Sequence, residues 1–141
     1  MDSVSVQARI TQEEQLLADT QIECSRAEWE LSSLVDYSDY HSRVTAVMKD
    51  DLLQRRDRLK SEGDGSGSRI LTALIAGLNT TIQQGEALLA AREEQAQRIR
   101  GVIGQCQENV TRLKDQERET EESLVASYSE LAIAHEEEAM E

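Results

Sequence analysis

Apolar residues recur along most of this chain at alternating steps of three and four. In the C-terminal half, Ile75, Ile82, Leu89, Ala96, Ile103, Val110, Leu124 and Leu131 repeat every seven residues, broken only by Glu117. Leu71, Leu78, Gly85, Arg92, Ile99, Cys106 and Leu113 hold the companion position. One apolar stripe sustained over so many heptads predicts a coiled-coil helix over 69–141, because no other common structure keeps a single face apolar for that distance. Residues 69–140 would extend about 108 Å at 1.5 Å per residue.

The N-terminal half carries the same signal with one disturbance. Ile10, Leu17, Cys24, Leu31, Leu52 and Leu59 share a heptad position, with Ala27, Leu34 and Met48 at its companion, which predicts a first long helix over 1–62. Between 37 and 47 the apolar set moves one residue back, to Tyr37, Tyr40, Val44 and Val47, and Ser38, His41 and Thr45 fall on the old stripe. This predicts a register break or bend near 37–47. The other reading is a second buried face, formed where a further helix joins the pair.

Residues 63–68, Gly-Asp-Gly-Ser-Gly-Ser, separate the two patterns and read as a turn or an engineered joint. So short a connector requires two antiparallel helices. The expected fold is therefore all-α, a long antiparallel helical hairpin. Each helix offers one seam, so the expectation includes a core completed by dimerisation. The seam positions are Leu17, Cys24, Leu31 and Leu34 in the first helix. In the second they are Ile75, Ile82, Leu89, Ile99, Ile103, Cys106, Val110, Leu113, Leu124 and Leu131.

Composition narrows the reading further. The 141 residues include no Pro and no Phe, and aromatics make up 3%, a balance that suits long helices and disfavours a sheet. The net charge of −13 argues against nucleic-acid binding, which depends on Lys and Arg displacing phosphate counterions. That charge is uneven: residues 43–60 hold six bases against three acids, whereas 115–141 hold ten acids against Arg118. Cys24 and Cys106 lie on the seams and read as small buried hydrophobes. With no signal peptide, no membrane-length apolar run and no disulfide framework, the expected location is cytoplasmic.

Candidate chemistry is sparse. His41 and His135 have no metal-ligand spacing to each other or to a cysteine. There is no phosphate loop, nucleophile elbow or paired-cysteine motif, so neither an enzyme nor a cofactor or metal site is expected. Trp29, Tyr37, Tyr40 and Tyr128 read as aromatics at helix or subunit contacts.

Two stretches resemble the BAR region of sorting nexins, in the branch with autophagy-linked and endosome-recycling members. The first is LVDYSDYHSRVTAVMK at 34–49 followed by LQRRDRL at 53–59, which is similar to the end of the second BAR helix and its basic tip. The second runs from IQQGE at 82–86 through VTRLKDQE at 110–117 to LVASYSELA at 124–132, similar to the final BAR helix. The resemblance implies a dimerisation module in endosomal membrane trafficking, paired with itself or a related coiled-coil chain. It also implies peripheral contact with anionic endosomal membrane through Lys49, Arg55, Arg56, Arg58, Lys60 and Arg69. A coiled-coil scaffold subunit of a tether, kinetochore or cytoskeletal complex, without lipid binding, is the alternative.

Overall fold

In the computed structural model, residues 2–62 and 69–141 are described, and they form two helices. Helix α1 spans Ser3–Glu62 and α2 spans Arg69–Met140. They pack antiparallel as a hairpin, and no strand occurs among the described residues. The predicted turn at 63–68 lies outside the described residues.

The start of α1 follows from its sequence. Asp2 caps the helix: its carboxylate accepts from the Ser5 amide at 2.6 Å, satisfying one of the donors that a first turn leaves unpaired. Glu138, from the last turns of α2, accepts from the Ser3 amide and from the Ser3 hydroxyl, each at 2.9 Å. A carboxylate is favoured there by the positive end of the α1 dipole. Both carboxyls are held below the ordinary carboxylate range, chiefly by hydrogen bonds from the Ser5 amide to Asp2 and from the Ser3 amide to Glu138.

The chain forms two compact units, one made of Met1–Ser32 with Gly104–Glu141, the other of Ser33–Ile103. The first has an apolar core in two clusters. Val6, Ile10 and Leu124 are buried together with Leu17 and Leu131 against them, and Cys24, Ala27, Val110 and Leu113 form the second, flanked by Leu31. Each large aliphatic side chain so buried contributes about 1.5–3 kcal/mol relative to exposure. Fewer apolar residues are fully buried in the second unit: Leu52, Ile82 and Ile99. Leu34, Ile75, Leu89 and Ile103 are half-buried there.

The register break expected near 37–47 is not present. Helix α1 is unbroken, and its inward positions keep the three-four spacing through Leu34, Ser38, His41, Thr45, Met48 and Leu52, all buried or half-buried. Tyr37, Tyr40 and Val47 are instead exposed. The polar residues stay on the seam because α2 presents polar partners to them, and an α-helix absorbs a polar stretch without unwinding when its side chains are satisfied.

Gly85 faces Leu52 of α1. A Cβ there would lie 3.0 Å from Leu52 Cδ1, so the missing side chain lets Leu52 seat against α2.

Candidate functional site

Within the second unit, two polar α1 positions meet two polar α2 positions. His41 is 3% exposed, and its Nε2 lies 3.2 Å from Gln95 Oε1. The Thr45 hydroxyl donates to the His41 carbonyl at 2.8 Å. Arg92 Nε donates to Thr45 Oγ1 at 2.9 Å, and Arg92 Nη2 donates to the same His41 carbonyl at 3.2 Å. The Tyr37 ring stands tilted against His41, with centroids 6.3 Å apart. This network converts a stretch of seam from hydrophobic to hydrogen-bonded packing. Polar pairs of this kind contribute less stability than an apolar layer but discriminate strongly against shifted registers, in which they would be buried unpaired.

The two flanks of the second unit differ. On one, Lys49 pairs with Glu93 at 3.4 Å, and Arg56 pairs with Glu86. These are exposed pairs of modest strength, each worth at most about 1 kcal/mol, and the exposed Leu53 lies beside them. On the other, Met48, Asp51, Leu52 and Arg55 of α1 line a groove with Thr81, Gly85, Leu88 and other residues of α2. Tyr37 and Val44 lie two and one heptads before Asp51 on this flank, with Tyr40 and Val47 interleaved at three-four spacing. Leu74 and Val102 lie two heptads either side of Leu88. The outcome is an uncovered apolar face, with Tyr40 58%, Val47 69% and Leu88 52% exposed. Tyr40, Arg43, Val44, Val47 and Met48 together line a shallow depression on it.

The α2 side of the uncovered face is poor in charge. Residues 70–91 contain a single charged residue, Glu86, and that one is engaged with Arg56 on the opposite flank. An exposed helical face normally carries charge, and a helix that is weakly polar all round is normally buried. The charge-poor run of α2 is legible in the sequence, but a heptad period reports what lies on the seam and not what lies off it.

The basic residues implied by the sorting-nexin resemblance fall into two groups. Lys49, Arg55 and Arg56 are already paired, with Glu93, Asp51 and Glu86 respectively. Arg58, Lys60 and Arg69 are exposed near the ends of α1 and α2 that flank residues 63–68.

The predicted seam residues are placed as follows. Cys24, Ile82, Ile99, Val110, Leu113 and Leu124 are buried, and Leu17, Leu31, Leu34, Ile75, Leu89, Ile103, Cys106 and Leu131 are half-buried. They face the other helix of the same chain, so as an inter-subunit seam they are already occupied. Both cysteines are free, and burial, with Glu28 beside it, pushes the Cys24 thiol upward. Trp29, expected at a helix or subunit contact, makes no helix contact in the hairpin and is 70% exposed, because it sits on the heptad position furthest from the seam. Tyr128 does bridge the helices, donating to Glu14 at 2.9 Å.

Among the described residues, no three His, Cys, Asp or Glu side chains are grouped as metal ligands, and no helix is long and apolar enough to cross a membrane. Comparison with family models, curated proteins and solved structures yields no match.

Proposed function

We propose that this chain is a non-catalytic helical assembly module, whose activity is to pair with another coiled-coil chain through the uncovered flank of residues 33–103. The observation that carries this reading is the asymmetry of that unit. Its seam is filled by its own two helices and one flank carries ion pairs between the helices beside the exposed Leu53, whereas the other leaves a longer aromatic and aliphatic stripe, Tyr37, Tyr40, Val47, Leu74, Leu88 and Val102, in water. Contiguous exposed apolar surface of this kind marks association sites in helical proteins.

Light scattering on the full chain, from micromolar to sub-millimolar concentration, tests the reading. A mass above the 15.8 kDa of one chain, alone or with a related coiled-coil chain, is the expected result. A single-chain mass under every condition counts against it.

The sorting-nexin reading adds a cellular setting: a BAR-like module in endosomal membrane trafficking, with peripheral contact to anionic lipid. It is supported by the motifs at 34–59 and 82–132 and by the exposed Arg58, Lys60 and Arg69. The pairing of Lys49, Arg55 and Arg56 within the chain halves the basic charge free to meet headgroups, which favours the scaffold reading without lipid. Co-sedimentation with phosphatidylserine vesicles at low salt, compared with Arg58→Glu/Lys60→Glu/Arg69→Glu, separates the two. Loss of binding in the variant supports membrane contact, and no binding by the parent chain removes it.

A further inference from the structure

We infer that the cleft formed between α1 and α2 by Ser42, Lys49, Arg92 and Arg100 binds the phosphoryl group of a small soluble phosphate ester. The cleft lies within the second unit on the ion-paired flank, opposite the candidate docking face, so the inference stands apart from the assembly reading.

Arg92 is its centre. It occupies a seam position and is half-buried, and its Nε and Nη2 are spent on uncharged acceptors, Thr45 Oγ1 and the His41 carbonyl. No carboxylate among the described residues pairs with it, although the chain holds 28 acids. The other half-buried arginines, Arg9 and Arg55, each have an acid partner, Glu130 and Asp51. Taking a guanidinium partly out of water without a counter-charge is unfavourable, and an anion from solution offsets that cost. The two bonds to α1 also fix the plane of the guanidinium, while three of its five N–H donors have no acceptor in the chain.

The surroundings add to the excess. Along this flank Arg56 meets Glu86 and, one heptad on, Lys49 meets Glu93. The next heptad step brings Ser42 on α1 and Arg100 on α2, so the third rung sets a cation beside a hydroxyl. Arg100 makes one hydrogen bond, from Nε to the Ala96 carbonyl of its own helix at 3.4 Å. Lys49, Arg92 and Arg100 therefore line the cleft against one acid, Glu93, which leaves two positive charges in excess.

Charge and size select the ligand. A phosphate monoester carries about −1.5 to −2 near neutral pH, which matches that excess. Its terminal oxygens accept from a guanidinium fork, an ammonium and a hydroxyl together. The cleft measures about 240 Å³, below the roughly 300–1,000 Å³ of sites for drug-sized molecules, and so suits one such group. Arg92 stands between the helices and not on their outer surface, a position open to a soluble ester but set back from the plane of a bilayer.

NMR titration of the full chain with inorganic phosphate and then glycerol phosphate, at ionic strength held constant with chloride, tests the site. Saturable shifts are expected at 42–49 and 92–100. Arg100→Gln, which removes a side chain bonded only to its own helix, is expected to weaken binding about tenfold through the loss of a charge-assisted hydrogen bond. Glu93→Gln, which removes the one acid and releases Lys49, is expected to tighten it. Arg58→Glu/Lys60→Glu/Arg69→Glu is expected to bind phosphate as the parent does. Shifts that do not saturate, or that chloride alone reproduces, overturn the inference. So does saturation unchanged in Arg100→Gln, or weakened in Glu93→Gln. Binding to phosphatidic acid vesicles without binding to either soluble probe also overturns it, in favour of a lipid headgroup. Each of these failures leaves the assembly reading to be decided by light scattering.

Discussion

The two units use one heptad pattern to different ends. In the first, two apolar clusters fill the seam with Thr20, Thr120 and Ser127 also buried on it, and an ion pair crosses each flank: Glu28 with Lys114 at 3.2 Å on one, and Arg9 with Glu130 on the other. In the second, the seam carries the His41, Thr45, Arg92 and Gln95 network, and one flank is apolar. The second unit buries fewer apolar residues inside the hairpin, and several of those it exposes share one flank. The first unit is thereby equipped to hold the two helices together, and the second to hold them in register and present a surface.

The comparison can be broken most severely at its apolar end. Ile10 is 1% exposed among Val6 and Leu124, so Ile10→Ala is expected to destabilise the chain by about 3 kcal/mol through lost transfer energy and the cavity left behind. Urea unfolding gives the magnitude. Hydrogen exchange should place the loss of protection in 2–32 and 104–141, and equal loss in both units would contradict the division.

A smaller effect is expected in the polar seam, with a sign that depends on how the network is removed. Arg92→Leu alone takes two hydrogen bonds from the His41 carbonyl and Thr45 and is expected to cost about 1–2 kcal/mol. Replacing the network together, as His41→Leu/Thr45→Val/Arg92→Leu, is expected to restore or exceed parental stability, because apolar packing then replaces satisfied polar groups. If the triple variant is less stable than Arg92→Leu, the network is a net source of stability and the register argument fails.

Smaller still is the gain expected from Gly101→Ala. Nothing lies within 4 Å of a Cβ at this position, so the substitution should stabilise α2 by up to about 1 kcal/mol in urea unfolding. No gain would point to an unrecognised contact at that face.

Two hydrogen-bonded groups of the first unit, the Glu138 carboxyl and the Tyr128 phenol, are expected to give the chain a pH dependence. Glu138 has its carboxyl held below the ordinary value of 4.5 by the Ser3 amide and then the Ser3 hydroxyl. A depressed acid contributes stability that is fully present above its ordinary value and is lost as pH falls through the lower, folded value. Tyr128 is the reverse case: its hydrogen bond to Glu14 raises the phenol above 10, so its contribution holds below 10 and is lost as pH rises through the folded value. NMR titration of the Ser3 amide should report a midpoint below 4.5, and Ser3→Ala should return Glu138 toward it.

Much of this fold was legible because the heptad period is a local property. The companion positions from Leu71 to Leu113 and the repeats from Ile75 to Leu131 coincide with the inward face of α2 residue for residue. The stretch at 37–47 is not legible in the same way, for an equally physical reason. Apolarity alone placed Tyr37, Tyr40 and Val47 inside, whereas burial followed the geometry of a continuous helix and left them in water. The candidate docking flank is made of those same residues, together with the charge-poor run of α2.

The sequence by itself determined two long helices, their seams and their antiparallel sense, since each depends on spacing along one chain or on a connector too short for anything else. Only the tertiary structure decided that His41 and Thr45 remain inside. That outcome depends on which residues of α2 stand opposite, and Arg92 and Gln95 meet them 51 and 54 residues from His41 along the chain. A polar side chain is excluded from a core or admitted to it according to whether a partner reaches it, and that partner is set by hairpin register, which no local pattern contains.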